Sequence, residues 1–238
     1  MMSQLTLNGK EIDFRDGANL LEVCVDAEVY VPHLCWNREY PAFGSCRVCS
    51  VLVDGRLVAA CTTRAEAGMR VETESVQLDA LRSELLKMLF VEGNHICPGC
   101  EKSGSCQLQA VAYYHGVLAP NLKHFYPERE LDASHPDVLL DYNRCIQCGL
   151  CVRASDITDK KRVFSLGGRG LQTRLMVNSA SGKLCDTDLS ATDRAVSVCP
   201  VGALLIKHRG YKTPIGERLY DRGPVNIVGD VTDGERDS

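Results

Sequence analysis

Residues 4–14, QLTLNGKEIDF, alternate apolar and polar side chains around Asn8-Gly9. Period-two alternation gives a strand one face to bury, and Asn-Gly supplies the left-handed positions of a type I′ turn, so the stretch predicts a hairpin. Residues 18–30, ANLLEVCVDAEVY, switch to helical spacing, with Asp16 and Asn19 as candidate caps. A loop carrying Pro32 and Pro41 follows, then a second hairpin over 48–60 around Asp54-Gly55 and a short closing strand at 70–73.

The strongest periodicity lies at 75–92, SVQLDALRSELLKMLFVE, where Leu78, Leu81, Leu85 and Leu89 fall on one helical face and Gly93 stands ready as a cap. The stretch NHICPGCEKSGSCQLQAVAYYHG comes next and ends in a predicted short helix. Residues 117–140, with Pro120, Pro127 and Pro136, are expected to be a connector. From Tyr142 onward come a cysteine run with a short helix, strands near 162–177, a helix near 190–198 and a strand at ALLIKH. These divisions predict four segments: 1–74, 75–140, 141–208 and a polar tail over 209–238. The tail is expected to be disordered or to act as a partner-binding arm.

Composition sharpens this. The 238 residues are 45% hydrophobic but only 6% aromatic, which suits small modules held together by something other than one large core. The net charge of −4 argues against nucleic acid as a partner. The N-terminus shows no signal-peptide pattern and no run approaches the ~20 apolar residues of a membrane span, so the expectation is a cytoplasmic chain, or one exported only with a partner. Thirteen cysteines in that compartment point to metal ligands rather than disulfides.

Eight of the thirteen fall into two sets. Cys35, Cys46, Cys49 and Cys61 are spaced C-x10-C-x2-C-x11-C, with the small residues Gly44 and Ser45 leaving backbone N–H groups free to approach a cluster. A zinc ribbon would show two close C-x2-C knuckles where only one is present, so a 2Fe–2S cluster is favoured over structural zinc. The order hairpin, helix, hairpin, strand is that of a β-grasp fold, as in 2Fe–2S ferredoxins. His33 is nearby, but four thiolates suffice and it is expected to pack.

Cys145, Cys148 and Cys151 form C-x2-C-x2-C, and Cys199 precedes Pro200. In two-cluster bacterial ferredoxins the run continues to a fourth cysteine that serves the other cluster. Here that position is Ser155, and the remaining ligands of that other cluster are replaced by Leu189, Thr192 and Ala195. All four ligands of one cluster are gone while the crossing ligand survives. Cys145, Cys148, Cys151 and Cys199 should therefore hold one 4Fe–4S cluster, with a zinc knuckle as the alternative.

Cys97, Cys100 and Cys106, spaced C-x2-C-x5-C, lack a fourth partner. Of the other thiols, Cys24 falls on the apolar face of the first helix, where a buried free thiol is expected, and Cys185 has no partner spacing. His95, two residues before Cys97, is the nearest good ligand.

Taken in order, CWNREYPAFGSCRVC, a histidine with C-x2-C-x5-C, CIQCGLCVR and CPVGAL resemble the N-terminal iron–sulfur region of the large peripheral subunit of respiratory complex I and the opening region of iron-only hydrogenases. The resemblance covers about residues 1–208. It implies an α+β chain with a β-grasp 2Fe–2S domain, a small helical domain whose 4Fe–4S cluster has His and Cys ligands, and a bacterial-ferredoxin-like 4Fe–4S domain. In that family the histidine spacing is H-x3-C, which would place the ligand at Gly93, whereas here it is H-x-C from His95. The catalytic domain that follows this region in those longer relatives is not expected here, since the sequence ends near residue 238. A chain of this length with these clusters, and with the YKTPIGERLYD tail, is similar to the small diaphorase subunits of NAD-reducing nickel–iron hydrogenases.

No G-x-G-x-x-G follows a predicted strand, and LGGRGLQ at 166–172 is better explained as a hairpin turn. No paired C-x2-C motifs of a nickel-binding subunit are present, and no acid–base pair or nucleophile stands out. The expectation is an electron-transfer subunit, with FMN, NAD and the Ni–Fe centre held by partners: a flavin/NAD(H) diaphorase subunit and the small and large hydrogenase subunits. The same relay in an NAD-dependent formate dehydrogenase or a complex-I-like NADH oxidoreductase is the alternative. A redox sensor or scaffold is a third class, for which no output module is visible.

Overall fold

The computed structural model describes residues 2–230. The first unit is a five-stranded sheet. Strands β1 (Met2–Leu7) and β2 (Lys10–Arg15) form the first hairpin, α1 (Leu20–Asp26) crosses over, and β3 (Ser50–Val53) and β4 (Arg56–Ala59) form the second hairpin before β5 (Arg70–Glu72) closes the sheet. The order β2-β1-β5-β3-β4, with β5 parallel to β1, is the β-grasp topology. Helix α1 is shorter than its apolar spacing predicts. Asn19 caps it reciprocally with Glu22, each side chain bonding the other's backbone N–H at 3.0 Å, and the chain turns away at Glu28, whose φ is 58°.

Helix α2 (Val76–Glu92) begins at Ser75, whose hydroxyl accepts the Leu78 N–H. Its fully buried stripe is Leu78, Arg82 and Leu86, one step round from the leucine face expected, with Leu81, Leu85 and Leu89 half-buried. Arg82 enters the core because its Nη2 donates to the Ser50 carbonyl at 2.8 Å and so docks α2 on β3. Helix α3 (Gln107–Tyr114) follows the second cysteine group.

The segment expected to be a connector contains β6 (Leu131–Asp132) and the start of β7 (Val138–Asp141). After α4 (Leu150–Ile157), the hairpin of β8 (Phe164–Gly167) and β9 (Arg174–Val177), and the short α5 (Arg194–Ser197), strand β10 (Leu204–Ile206) returns to pair antiparallel with β7. The LGGRGLQ stretch is the β8–β9 connection. Through residue 230 the tail is ordered rather than free. Helix α6 (Val225–Val228) buries Val225 against the core, and Asp230 bonds His33 Nε2 at 2.6 Å and Gln107 Nε2 at 2.7 Å. Residues 231–238 lie outside the described residues.

Candidate metal centres

The first group sits where the β-grasp loop meets β3 and β4. Cys35, Cys46, Cys49 and Cys61 are all buried. Cys35 lies within hydrogen-bonding reach of Cys46 and Cys61, and Cys49 within reach of Cys61. The Ser45 side chain and the Cys46 backbone also act to lower the Cys35 thiol. The S–H···S contacts pull Cys35 and Cys49 below the ordinary thiol range, Cys49 to about 7, and push their donors Cys46 and Cys61 up. Metal binding requires such thiols to lose their protons, so affinity at this site would rise with pH. His33 is not among them: its Nδ1 faces the Val31 carbonyl at 2.8 Å and its Nε2 faces Asp230, so it packs as expected.

The second group lines one cavity. His95, Cys97, Cys100 and Cys106 form its wall together with Phe90, Leu108, Arg144 and Gly202. Burial pushes the His95 imidazole down to about 4, so it is neutral and keeps a lone pair at physiological pH. Its Nε2 is buried and has no hydrogen-bond partner among the described residues. A buried polar atom left so costs about 1–3 kcal/mol, which coordination at this nitrogen would recover.

The H-x-C spacing has a structural counterpart here. A Cβ placed on Gly93 would lie 2.7 Å from His95 Nε2 and 2.6 Å from the Asn143 carbonyl oxygen. The imidazole therefore occupies the space into which a side chain at position 93 would project, and reaches it from two residues further on. Gly93 is extended (φ −107°), so close approach, not a left-handed cap, is what requires glycine there. Asn94 pins the turn, donating from its backbone to the Asn143 carbonyl and from its side chain to the Pro127 carbonyl, each at 2.8 Å.

The third group is Cys145, Cys148, Cys151 and Cys199, which line a cavity closed by Ile146, Leu166, Leu175, Val201 and Leu204. Distant Cys199 arrives because β10 pairs with β7 and draws the preceding residues over the run. Desolvation raises the Cys145 thiol to about 11 and also raises Cys148 and Cys151. The positions of the lost cluster are built over: Leu189 and Ala195 are core residues, and Ser155 Oγ accepts the Val163 N–H at 2.8 Å. The second and third sets arrange their donors around a cavity, which suits a polynuclear cluster.

Of the spare thiols, Cys24 is buried on α1 and pushed up to about 12 by burial, while Cys185 is exposed beside Asp186. Among the described residues no helix is long and apolar enough to cross a membrane.

Comparison with known proteins agrees with this architecture. Residues 2–76 match a family described as a 2Fe-2S iron-sulfur cluster binding domain, residues 82–120 the NADH-ubiquinone oxidoreductase-G iron-sulfur binding region, and residues 138–206 a 4Fe-4S single cluster domain. The chain is therefore an iron–sulfur protein of the electron-transfer class. It is 38% identical over 93% of its length to the gamma subunit of the NAD-reducing hydrogenase HoxS of Cupriavidus necator, covering 94% of that protein, and it belongs to the family of that subunit. A solved structure of an NAD+-reducing [NiFe]-hydrogenase in the H2-reduced state contains a chain with 52% identity and a TM-score of 0.91, over 94% of this chain and 95% of that one. The mitochondrial NADH-ubiquinone oxidoreductase 78 kDa subunit of Neurospora crassa is 30% identical over 88% of this chain, which spans 28% of that longer protein.

Proposed function

We propose that this chain is the electron relay of a cytoplasmic NAD-reducing nickel–iron hydrogenase, standing between a flavin/NAD(H) diaphorase subunit and the hydrogenase small and large subunits. Cys35, Cys46, Cys49 and Cys61 hold one 2Fe–2S cluster. His95, Cys97, Cys100 and Cys106 hold one 4Fe–4S cluster, and Cys145, Cys148, Cys151 and Cys199 hold another. When bound, these clusters supply one-electron oxidation and reduction, and the protein sets each potential through ligand charge, hydrogen bonds to sulfur and burial.

The observation that carries this reading is the continuity of the three sites. Cys35, Cys46, Cys106, Cys148, Cys151 and Cys199 belong to one buried core. The third site adjoins both of the others. It touches the first through Arg153, which bonds the Cys35 and Cys148 carbonyls. It meets the second where the Gln107 N–H bonds the Pro200 carbonyl at 2.9 Å and where a Cβ on Gly202 would lie 2.8 Å from Cys100 Sγ. The family match over 82–120 and the relation to the 78 kDa oxidoreductase subunit leave the same relay in a complex-I-like oxidoreductase or formate dehydrogenase as the second reading.

Reconstitution tests the proposal. The pure chain is expected neither to oxidise H2 nor to bind NADH. Added to a flavoprotein subunit and a nickel subunit, it is expected to restore H2-dependent NAD+ reduction that is absent without it. A complex that copurifies with a molybdopterin enzyme instead of nickel selects the second reading, and coupling that proceeds equally well without this chain contradicts both.

A further inference from the structure

Arg153 lies on α4 just beyond Cys151. Its Nη2 donates to the Cys35 carbonyl at 2.8 Å and to the Cys148 carbonyl at 3.0 Å. Nη1 donates to the Pro41 carbonyl at 2.6 Å, and Nε to the Gly149 carbonyl at 3.0 Å. The Phe43 ring covers the guanidinium, its centroid 5.7 Å from Cζ. All four acceptors are backbone carbonyls, and among the described residues no carboxylate pairs with this cation.

A charge taken partly out of water needs opposite charge or oriented dipoles around it. Four carbonyls supply dipoles, but no side chain supplies the counter-charge. The anionic groups available are the thiolates that Cys35 and Cys148 would contribute to two different clusters. One nitrogen, Nη2, is bonded to the peptide group of a residue from each. Arg is suited to this because its planar guanidinium keeps several donors in fixed directions, and because it stays protonated when buried.

We propose that Arg153 is a positioning residue shared by the first and third centres, its fixed positive charge raising the reduction potential of both while its Nη2 ties the Cys35 and Cys148 peptide groups together. The inference rests on the reading that these two cysteines hold clusters. Reduction adds one negative charge to a centre, and a nearby cation favours that form. A one-electron cluster held by Cys35 and its partners and one held by Cys148 and its partners would lie in the field of the same cation. Arg153 would therefore favour the reduced form of a cluster on either side. None of these four bonds involves the residues of the second centre, which serves as an internal control.

The test uses the assembled complex, purified anaerobically, with R153Q and R153K variants. Iron content is measured first, and each cluster is then titrated against potential by EPR. In R153Q the first and third centres are expected to shift to more negative potential while the second stays in place. R153K retains the charge and is expected to stay closer to wild type at both. The inference is overturned if R153Q keeps both clusters with unchanged potentials, if only one of the two moves, or if R153K shifts as far as R153Q. Should R153Q fail to load, the R153K titration decides: potentials near wild type support a charge role, and a large negative shift at both centres overturns it. Wild-type protein without iron at these sites would instead overturn the underlying cluster assignment.

Discussion

Cys199→Ala is expected to remove the third cluster outright, with a loss of about four iron atoms per chain. The substitution lies far along the sequence from the Cys145–Cys151 run, yet Cys199 lines the same cavity as its three thiols. A cubane held by only three thiolates there would have an iron without its protein ligand, and among the described residues no other cysteine lines that space. Cys24→Ala and Cys185→Ala are the matched controls. Cys24 is packed on α1 and Cys185 is exposed, and both variants should keep full iron and sulfide. Iron analysis with EPR of the reduced protein reads the result. Loss of a cluster in the Cys185 variant with retention in the Cys199 variant would show that the third site is wrongly assembled.

Replacing His95 should separate ligand charge from ligand presence. His95→Ala is expected to lose one iron or the whole second cluster while the other two survive. His95→Cys should keep four irons but place a thiolate where a neutral imidazole stood. The added negative charge disfavours reduction, so the midpoint should fall, on the order of 100 mV by analogy with histidine-ligated clusters. The partnerless Nε2 and the ring's position over Gly93 are the structural grounds. If the Ala variant keeps all three EPR signals with unchanged shape and potential, His95 is a bystander.

The hairpins are legible in the sequence because Asn8-Gly9 and Asp54-Gly55 admit few alternatives, and the thiol sets because cluster spacing is close to a chemical formula. What the sequence hides depends on partners far along the chain. The buried stripe of α2 lies one step from the face its periodicity suggests, because leucines occupy several faces and an arginine enters the core to reach a carbonyl on β3. The prolines at 127 and 136 mark a connector, but β7 becomes a strand through pairing with β10. The polar tail has no apolar period, yet Asp230 finds His33 and Gln107. Arg153 is invisible for a related reason: its acceptors are carbonyls, which leave no trace in sequence.

His95 stands between these cases. Three cysteines lacking a fourth partner point to it, and the shortened H-x-C spacing points away. The structure supplies what spacing cannot, a glycine at 93 over which the ring folds.

That one chain carries three iron–sulfur clusters is tested most directly by iron and acid-labile sulfide per chain in anaerobically purified protein. About ten of each are expected. Zinc in place of iron, or iron and sulfide stalled near about six per chain with every proposed ligand intact, would contradict a three-cluster relay.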